Sequence, residues 1–363
     1  MSSYIGNIVR VDLFGQSHSE ALGCVIDGLP AGKAVDVDAL AAFLQRRAPS
    51  GLPWSTPRKE ADAPQIICGL KDGLTCGAPL CALIQNTNTR SSDYDLLARV
   101  PRPGHADYVA NLKYHGAQDY RGGGHFSGRI TAALCIAGGI AKQLLESEGI
   151  HVGAHIAQIG NVCDEPFDSC SVSASQLEAV SSKRIPVNND DAGAAMVEAI
   201  AAVREAGDSI GGIVECAAVG LPAGIGEPMF NGIENAIARI CFGIPAVKGV
   251  EFGAGFKVAA MRGSENNDGM RYEGETCTFE SNNAGGALGG ISTGAPVVVR
   301  CAFKPTPSIS VPQHSIDMKN GGNEELCVTG RHDPCVVVRA VPVVEAAVAL
   351  AVYDLYLEAK ARQ

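Results

Sequence analysis

Residues 102–131 of this 363-residue chain read RPGHADYVANLKYHGAQDYRGGGHFSGRIT. A Pro-Gly turn presents His105, and a triple glycine at 122–124 precedes Ser127 and a long small-residue stretch. Glycines let backbone N–H groups converge on one point, and a helix N-terminus attracts anions. Ser127 is a residue type that caps helices. The stretch therefore predicts an anion site, and the alternative is a glycine turn that only lets strand and helix pack closely.

Composition bounds the class of protein and its partners. The chain is 46% hydrophobic but only 5% aromatic, which predicts a large core built from small side chains. Its formal net charge is −10, and it has no long basic run, so we expect no nucleic-acid partner. Any anionic ligand must then be held by a local group of Arg and Lys side chains.

The cysteines and the chain ends bear on the compartment. The thirteen cysteines include no C-x-x-C pair, which argues against a zinc site, and their odd number argues against a complete disulfide framework. We therefore expect no metal and a reducing, cytoplasmic location. The first fifteen residues lack a signal-peptide pattern, and the apolar stretch 132–141 is too short to span a bilayer, so we expect no membrane association.

Hydrophobic periodicity predicts an α+β protein. It favours strands at residues 7–14, 23–27, 65–70, 78–85, 151–160, 212–219 and 297–303, and helices at 37–47, 127–148, 192–206, 231–241 and 342–360. Residues 161–190 are polar and are predicted to form an irregular surface segment. Pro342 suits a first helical turn, which places the start of the last helix there.

Arg47 is an unusual residue in the predicted helix 37–47. It follows Leu40 by seven residues and therefore falls on the same apolar face. A cation on the core side needs an anion or must extend to solvent. A cation near a helix C-terminus is also favoured by the helix dipole, so both interpretations stand.

Two parts of the chain resemble each other. Residues 22–32, LGCVIDGLPAG, and 212–224, GIVECAAVGLPAG, each join a predicted strand to Gly-Leu-Pro-Ala-Gly before a helix. Arg129 and Arg339 each lie next to a small-residue helix near the end of a half. We predict a duplicated fold with pseudo-symmetric halves at roughly 1–160 and 205–363, forming one domain over 1–363; chance similarity of a short motif is the alternative.

Seven motifs then occur in a fixed order: GQSH, RPGHADY with KY, RGGG with SGR and T, AVKGVEFG with GF, NNAGG with LGGIS, KPTPSI, and RHDPCVVVRAVPVVEA. Together they resemble the chorismate synthase family, and the resemblance covers about residues 4–358. It implies a four-layer β/α/α/β sandwich, usually assembled as a homotetramer. It also implies conversion of 5-enolpyruvylshikimate 3-phosphate to chorismate by 1,4-anti elimination of phosphate, with reduced FMN (FMNH2) and no net redox change.

The resemblance assigns roles to particular residues. His18 would be the acid on the phosphate side, His105 would act towards the reduced flavin, and Asp333 would work with the flavin in removing the C6 proton. Substrate anions would be bound by Arg47, Arg129 and Arg339, as bidentate recognition by guanidinium groups allows. Flavin contacts would come from His125, Phe126, Ser127, Pro245, Ala246, Gly289, Lys304, Pro305, Thr306, Pro307, Ser308 and Arg331.

The chain departs from the family pattern at several positions. Gln16 and Ser19 replace an acid and a glycine, His125-Phe126 replaces an Arg-Ser pair, and Ile130 replaces a common Glu. Basic positions of the family are Ala48 and Pro53 here, which weakens the case for an NADPH site. We therefore expect a monofunctional enzyme that receives reduced flavin from an external reductase.

Two other functions are compatible with the sequence. One is a catalytically weak relative that binds flavin or a phosphorylated ligand. The other is a histidine-based phosphohydrolase, which would act without flavin. His18, His105 and Asp333 favour the synthase.

Overall fold

The computed structural model describes residues 3–49, 62–87, 96–328 and 332–362. Within these residues two five-stranded antiparallel sheets enclose two layers of helices. The strands are β1 (Tyr4–Ile5), β2 (Arg10–Gly15), β3 (Ala21–Asp27), β4 (Gln65–Cys68), β5 (Leu70–Lys71), β6 (Leu74–Thr75), β7 (Leu80–Gln85), β8 (His151–Ile159), β9 (Val162–Cys163), β10 (Gly212–Val219), β11 (Val247–Phe252), β12 (Met270–Glu273), β13 (Thr276–Phe279), β14 (Ala287–Leu288), β15 (Ile291–Ser292), β16 (Val297–Phe303), β17 (Gln313–Ile316) and β18 (Asn323–Leu326).

The helices form the two inner layers and parts of the surface. They are α1 (Val37–Arg47), α2 (Asp107–Tyr114), α3 (Thr131–Glu146), α4 (Ala174–Ser181), α5 (Asp190–Glu205), α6 (Ile233–Cys241), α7 (Gly263–Asn266) and α8 (Val337–Arg362). α3 packs on the first sheet and α1 packs against α3 and α8, while α6 and α8 cover the second sheet, and α3 packs on α8 at the centre. The predicted β/α/α/β sandwich is confirmed.

Small side chains let the two central helices approach closely. A Cβ at Gly138 of α3 would come within 2.3 Å of the Ala346 carbonyl oxygen of α8, so this crossing requires a glycine. Around it lie Ala137, Ile140, Ala347 and Val344, all buried. The alanine-rich, aromatic-poor composition thus serves the close contact between the two inner layers.

The strand orders show the internal duplication. The first sheet runs β1-β2-β3-β7-β4, and the second, taken from its opposite edge, runs β9-β8-β10-β16-β11. β3 and β10, which carry the related sequences, hold equivalent central places. β8 lies before the predicted boundary near residue 160, and it pairs with β10 in the second sheet. The second set of elements therefore starts at His151; that the chain is one domain stays a prediction.

The segment 161–190 is more ordered than predicted. Ser173 and Gln176 form a capping box at the start of α4. α4 then packs Leu177 and Val180 against Ala217 on the outer face of the second sheet. The capping-box pattern was visible in the sequence, and the expectation of an irregular segment was wrong there.

The last helix also differs from its prediction. α8 begins at Val337, so Pro342 lies inside it and Arg339 lies in its first turn. α8 is long and apolar enough to cross a membrane, but 89% of its most apolar window is buried within the fold. It packs on β8, β10, α3 and α6, as a central core helix does.

Candidate active site

A cavity of about 570 Å³ opens where the two halves meet. Its lining residues come from the first half (Arg47, Arg102, His105, Ser127, Arg129), from the segment after α6 (Phe242, Ile244, Pro245, Ala246, Lys248), and from the end of the chain (Lys304, Thr306, Ser308, Asp333, Arg339). This volume is typical of small-molecule sites.

The triple-glycine turn separates two histidines. Gly122, Gly123 and Gly124 all have positive φ, of 62°, 84° and 55°. A Cβ on Gly122 would lie 2.4 Å from the His18 ring, and one on Gly123 would lie 3.0 Å from the His105 ring. The glycines therefore allow both imidazoles to contact the turn. The glycines therefore serve close packing, which was the alternative to an anion site, and this packing also positions two histidines.

Ser127 caps the chain that follows the turn. Its Oγ accepts a hydrogen bond from the Arg129 N–H at 3.2 Å, at the start of the 3-10 turn Gly128–Ile130 that leads into α3. The predicted cap is confirmed, although it serves this short turn rather than α3 directly. The cap fixes Arg129 just before the N-terminus of α3, where Arg129 lines the cavity.

His105 lies in a compact network with Asp107 and Arg102. Its Nδ1 is 2.5 Å from Asp107 Oδ1, and Arg102 donates to the same carboxylate through Nε and Nη2, each at 2.8 Å. Arg102 Nη1 also donates to Ser308 Oγ at 3.1 Å. Burial opposes ionisation of Asp107, but the hydrogen bonds from Arg102 and His105 outweigh it and hold the pKa of this carboxyl well below its usual range.

Arg47 and Arg129 share one buried carboxylate. Arg47 Nη1 donates to Asp62 Oδ2 at 2.5 Å, and Arg129 Nη1 donates to Asp62 Oδ1. Burial opposes the Asp62 charge, yet the two guanidinium groups outweigh it and lower the pKa of the carboxyl. Burial, with Arg339 and Arg129 nearby, lowers the pKa of Arg47 in spite of Asp62. Of the two interpretations for Arg47, the buried anion partner is therefore the correct one.

Arg339 adds a third guanidinium to this group. Its Nη1 donates to Asp333 Oδ2 at 2.6 Å, and its Nε donates to the Arg47 carbonyl at 2.9 Å. Three arginines thus meet two carboxylates, Asp62 and Asp333, at one side of the cavity. The surplus positive charge makes this side suited to an anionic ligand.

A second group of cations, around Lys304, also lines the cavity. Lys304 Nζ donates to the Gly104 carbonyl at 2.7 Å, and burial together with Lys248 and Arg102 lowers the pKa of this ammonium. Next to it, Ala246 has a φ of +76°, and its carbonyl accepts from the Lys304 N–H at 3.0 Å. A non-glycine residue in this conformation marks a strained place in the cavity wall.

The position that departs from the family pattern forms an aromatic rim. The ring centroids of His125 and Phe126 are 4.2 Å apart, and Tyr114 lies 5.6 Å from His125 in an edge-to-face arrangement. Both His125 and Phe126 line the cavity. The rim therefore offers flat aromatic surface to the cavity.

Comparison with known proteins gives the family. The family model described as chorismate synthase matches residues 9–357. The chain belongs to the chorismate synthase family. A chorismate synthase of Lancefieldella parvula is 47% identical over 365 residues, covering 98% of this chain and 96% of that protein. One from Thermococcus gammatolerans is 46% identical over 357 residues, covering 98% of each. A crystal structure of chorismate synthase has a TM-score of 0.76 and 25% identity, covering 98% of this chain and 93% of that one.

Most of the predicted site residues of this chorismate synthase family member line the cavity. They are Arg47, His105, His125, Phe126, Ser127, Arg129, Pro245, Ala246, Lys304, Thr306, Pro307, Ser308, Asp333 and Arg339. Arg331 lies outside the described residues.

Three predicted site residues lie away from the cavity lining. His18 is buried behind Gly122, with Nδ1 3.2 Å from Ser17 Oγ. Pro305 lies next to Gly211, where a Cβ would meet its ring at 3.2 Å. Gly289 lies in the turn between β14 and β15, where Leu288 pairs with Ile291. The structure therefore does not place Pro305 and Gly289 at the site, although the family motifs do.

The sequence interpretation missed several cavity or network residues. Lys248 and His332 lie within the recognised motifs AVKGVEFG and RHDP, so the motifs carried a signal for them. Asp107 also lies in a recognised motif. Asp62 follows a proline-containing stretch of sequence with no pattern of its own, and only the fold shows that it pairs with Arg47 and Arg129.

Proposed function

We propose that this chain converts 5-enolpyruvylshikimate 3-phosphate to chorismate by 1,4-anti elimination of phosphate, with reduced FMN and no net redox change. The observation that carries the proposal is the cluster of Arg47, Arg129 and Arg339, whose positive charge exceeds that of the carboxylates paired with it. The substrate has a phosphate and two carboxylates, and such a cluster suits them. His105 and Asp333 both line the cavity and can contact a ligand bound there.

The cavity also fits a flavin. Phe242, Ile244 and Pro245 supply apolar surface for a planar ring, and Lys248 and Lys304 supply cations for a phosphate tail. The strained Ala246 lies between these two regions. Reduced FMN, when bound, supplies an electron-rich ring that stabilises an electron-poor allylic transition state without net electron transfer.

The residues of the chain supply binding and proton positions. The three arginines bind and orient the anionic groups, and Arg339 holds Asp333 Oδ2 at 2.6 Å. Asp333 is the residue through which the C6 proton leaves the cavity, while His105 faces the cofactor. His18, which lies against the cavity-lining Gly122, is the acid proposed to protonate the departing phosphate as the bond between C3 and the phosphate oxygen breaks.

An anaerobic assay tests this function. The protein is incubated with the substrate, with and without reduced FMN, and chorismate and phosphate are measured. We expect both products in equal amounts, only when reduced flavin is present. Phosphate release without flavin would favour a phosphohydrolase, and flavin binding without turnover would favour the weak relative; either result contradicts the proposal.

Substitution tests the assigned roles. We expect His18→Ala and Asp333→Ala each to lower turnover by at least roughly a hundredfold, the scale of a lost acid or base. Arg10→Ala, which removes an exposed partner of Asp27, serves as a control with unchanged turnover. A near-normal rate in either variant would remove that residue from the mechanism.

Assembly, location and flavin supply extend the proposal. We infer a homotetramer, a cytoplasmic location and an external flavin reductase. Exposed aromatic residues support assembly, since Phe230 is 87% exposed and Phe256 is 85% exposed. Light scattering measures the assembly, and turnover with NADPH and oxidised FMN, with and without an added reductase, tests the flavin supply.

A further inference from the structure

The carboxylate of Asp107 lies at the centre of the network beside the cavity, with its side chain only 8% exposed. Its Oδ2 accepts from the Arg102 backbone N–H at 3.0 Å and from Arg102 Nε at 2.8 Å. Its Oδ1 accepts from Arg102 Nη2 at 2.8 Å and contacts His105 Nδ1 at 2.5 Å. Each oxygen thus has two partners, and one partner is an imidazole that faces the ligand space.

We propose that Asp107 is a positioning residue that fixes His105 as the tautomer carrying its proton on Nδ1, so that Nε2 is the ring atom offered to the ligand. This inference rests on the proposed function for the role of His105, but the tautomer itself can be measured without activity. Asp107 does not line the cavity and acts through His105.

The short contact between His105 and Asp107 determines which ring nitrogen of the neutral His105 carries the proton. An ionised carboxylate only accepts hydrogen bonds, so a 2.5 Å contact with Nδ1 requires a proton on that nitrogen. Arg102 Nη2 is also 3.0 Å from Nδ1, but Arg102 cannot accept a proton, and its Nη2 already donates to Asp107. The alternative tautomer would place two lone pairs against each other at 2.5 Å.

The other ring nitrogen is directed towards the triple-glycine turn. A Cβ on Gly123 would lie 3.0 Å from His105 Nε2, and Gly123 has no such atom. The Nε2 side of the ring is therefore free of side-chain bulk from the turn, and His105 lines the cavity. With Nδ1 held by Asp107, proton exchange with a ligand takes place at Nε2.

Arg102 extends this network to the second half of the chain. Its Nη1 donates to Ser308 Oγ at 3.1 Å, in the KPTPS turn that lines the cavity. The backbone N–H of Arg102 is also fixed by Asp107. If Asp107 only stabilised the N-terminus of α2 through the helix dipole, it would not need the four hydrogen-bond contacts that it makes with Arg102 and His105.

The test uses Asp107→Asn. Two Arg102 donors face the Oδ2 position and one faces the Oδ1 position, so the amide oxygen is favoured at Oδ2. The amide NH2 then faces His105 Nδ1 and donates to it, which forces the proton onto Nε2. The substitution keeps the shape of the side chain and reverses the tautomer.

The first measurement is nitrogen-15 NMR of the histidine rings in the full-length protein, about two pH units above the ordinary histidine pKa. We expect the Nδ1–H tautomer for His105 in the wild type and the Nε2–H tautomer in Asp107→Asn. His105→Gln assigns the signal, and His155, which is held between two other carboxylates, is an internal reference that stays unchanged. An Nε2–H tautomer in the wild type would overturn the proposal even if the variant failed to fold.

The second measurement is steady-state turnover with reduced FMN. We expect Asp107→Asn to lower kcat by at least roughly a hundredfold, with the KM for substrate changed by less than about threefold. Asp27→Asn, which neutralises another carboxylate paired with an arginine, is the matched control with unchanged kcat. A wild-type-like kcat in Asp107→Asn, or a loss seen only in KM, would contradict the positioning role. Absence of flavin-dependent turnover in the wild type would instead refute the proposed function and leave the tautomer result standing.

Discussion

At the scale of single residues, the triple glycine has a role that its composition alone does not show. Gly122 lies against Ser17 and His18, and Gly123 lies against His105. The two histidine rings occupy space that Cβ atoms on Gly122 and Gly123 would fill. Residues with side chains at these two positions would therefore displace the rings. The left-handed backbone at these positions is then a condition for placing two imidazoles on opposite sides of one turn.

This argument predicts the effect of Gly122→Ala. The new Cβ would lie 2.3 Å from Ser17 Oγ and 2.4 Å from the His18 ring, so His18 must move. We expect turnover to fall by about a hundredfold, the scale of a misplaced reacting group. Turnover with reduced FMN and urea unfolding would be measured together.

Gly274→Ala is the matched control for this prediction. Gly274 has a φ of +64°, against +62° for Gly122, but its Cβ would meet no atom within 4 Å. We expect the control to lose about 1–2 kcal/mol of stability from the left-handed conformation and to keep its turnover. Equal turnover in the two alanine variants would show that the close contact with His18 has no functional weight.

Prediction of single residues from sequence works best where the residue type conflicts with its predicted surroundings. Arg47 was recognised because a cation on an apolar helix face needs an explanation, and it is indeed buried. Its partner could not be predicted, since Asp62 follows a proline-containing stretch of sequence and reaches Arg47 and Arg129 only through the fold. Gly289 and Pro305 show the converse, because a motif fixes the residue type without showing which way the chain turns.

At the scale of elements, the repeated Gly-Leu-Pro-Ala-Gly motif identifies β3 and β10 as equivalent strands, and each is the central strand of its own sheet. The second sheet contains an insertion between two of its neighbouring strands. β8 and β10 are neighbours in the sheet, but α4 and α5 lie between them in the chain. A strand far upstream of its partner carries no local pattern that assigns it to one half.

The insertion is attached to the second sheet by a buried charge network. His155 Nδ1 donates to Asp164 Oδ2 at 2.8 Å, and its Nε2 donates to Glu215 Oε2 at 3.0 Å. Arg300 also contacts Glu215, at 3.2 Å, and the Phe167 N–H donates to the same carboxylate. Burial disfavours the imidazolium, but the hydrogen bonds from both carboxylates outweigh it and raise the pKa of His155.

This network predicts a pH dependence of stability. Because the folded pKa of His155 is raised, its contribution is complete below the unfolded value of about 6.5 and is lost as the pH rises through the folded value. We expect the free energy of unfolding to fall between these pH values by up to about 1.4 kcal/mol per pH unit for this group. Urea unfolding across that range measures the slope.

The variant His155→Gln isolates the contribution of this residue. It should flatten the alkaline slope and leave the rest of the pH profile unchanged. NMR of the wild type supplies an independent reading, in which His155 keeps its proton at a higher pH than the exposed histidines. A His155 signal that titrates at the ordinary value would contradict the prediction whether or not the variant folds.

At the scale of the whole molecule, the site depends on the meeting of the two halves. Arg47 and Arg129 come from the first half, Arg339 from the last helix, and the Arg339 Nε hydrogen bond to the Arg47 carbonyl joins them. The order of motifs identified these residues, and periodicity identified the layers. The pairing of charges across the halves could not be predicted, because it depends on how α1, α3 and α8 pack.

The distribution of charge leads to a prediction about ligand binding. The protein has a formal net charge of −10, yet three arginines converge on one cavity. An inorganic phosphate should bind there and stabilise the fold, since a ligand that binds only the folded state raises its stability by about 1.4 kcal/mol at ten times its Kd. For a chain of this size we expect a rise in Tm of about 2 °C over sodium chloride of equal ionic strength.

Arg339→Ala separates site binding from the general effect of phosphate on protein stability. It removes one guanidinium from the cavity, so we expect a lower starting Tm and a phosphate increment reduced by at least about half. Arg10→Ala removes an exposed arginine of the first sheet and should keep the full increment. The increment is compared within each variant, so a lower starting Tm does not affect the result. If Arg339→Ala and Arg10→Ala show the same increment as the wild type, phosphate stabilises the protein elsewhere, and the arginine cluster is not the anion site.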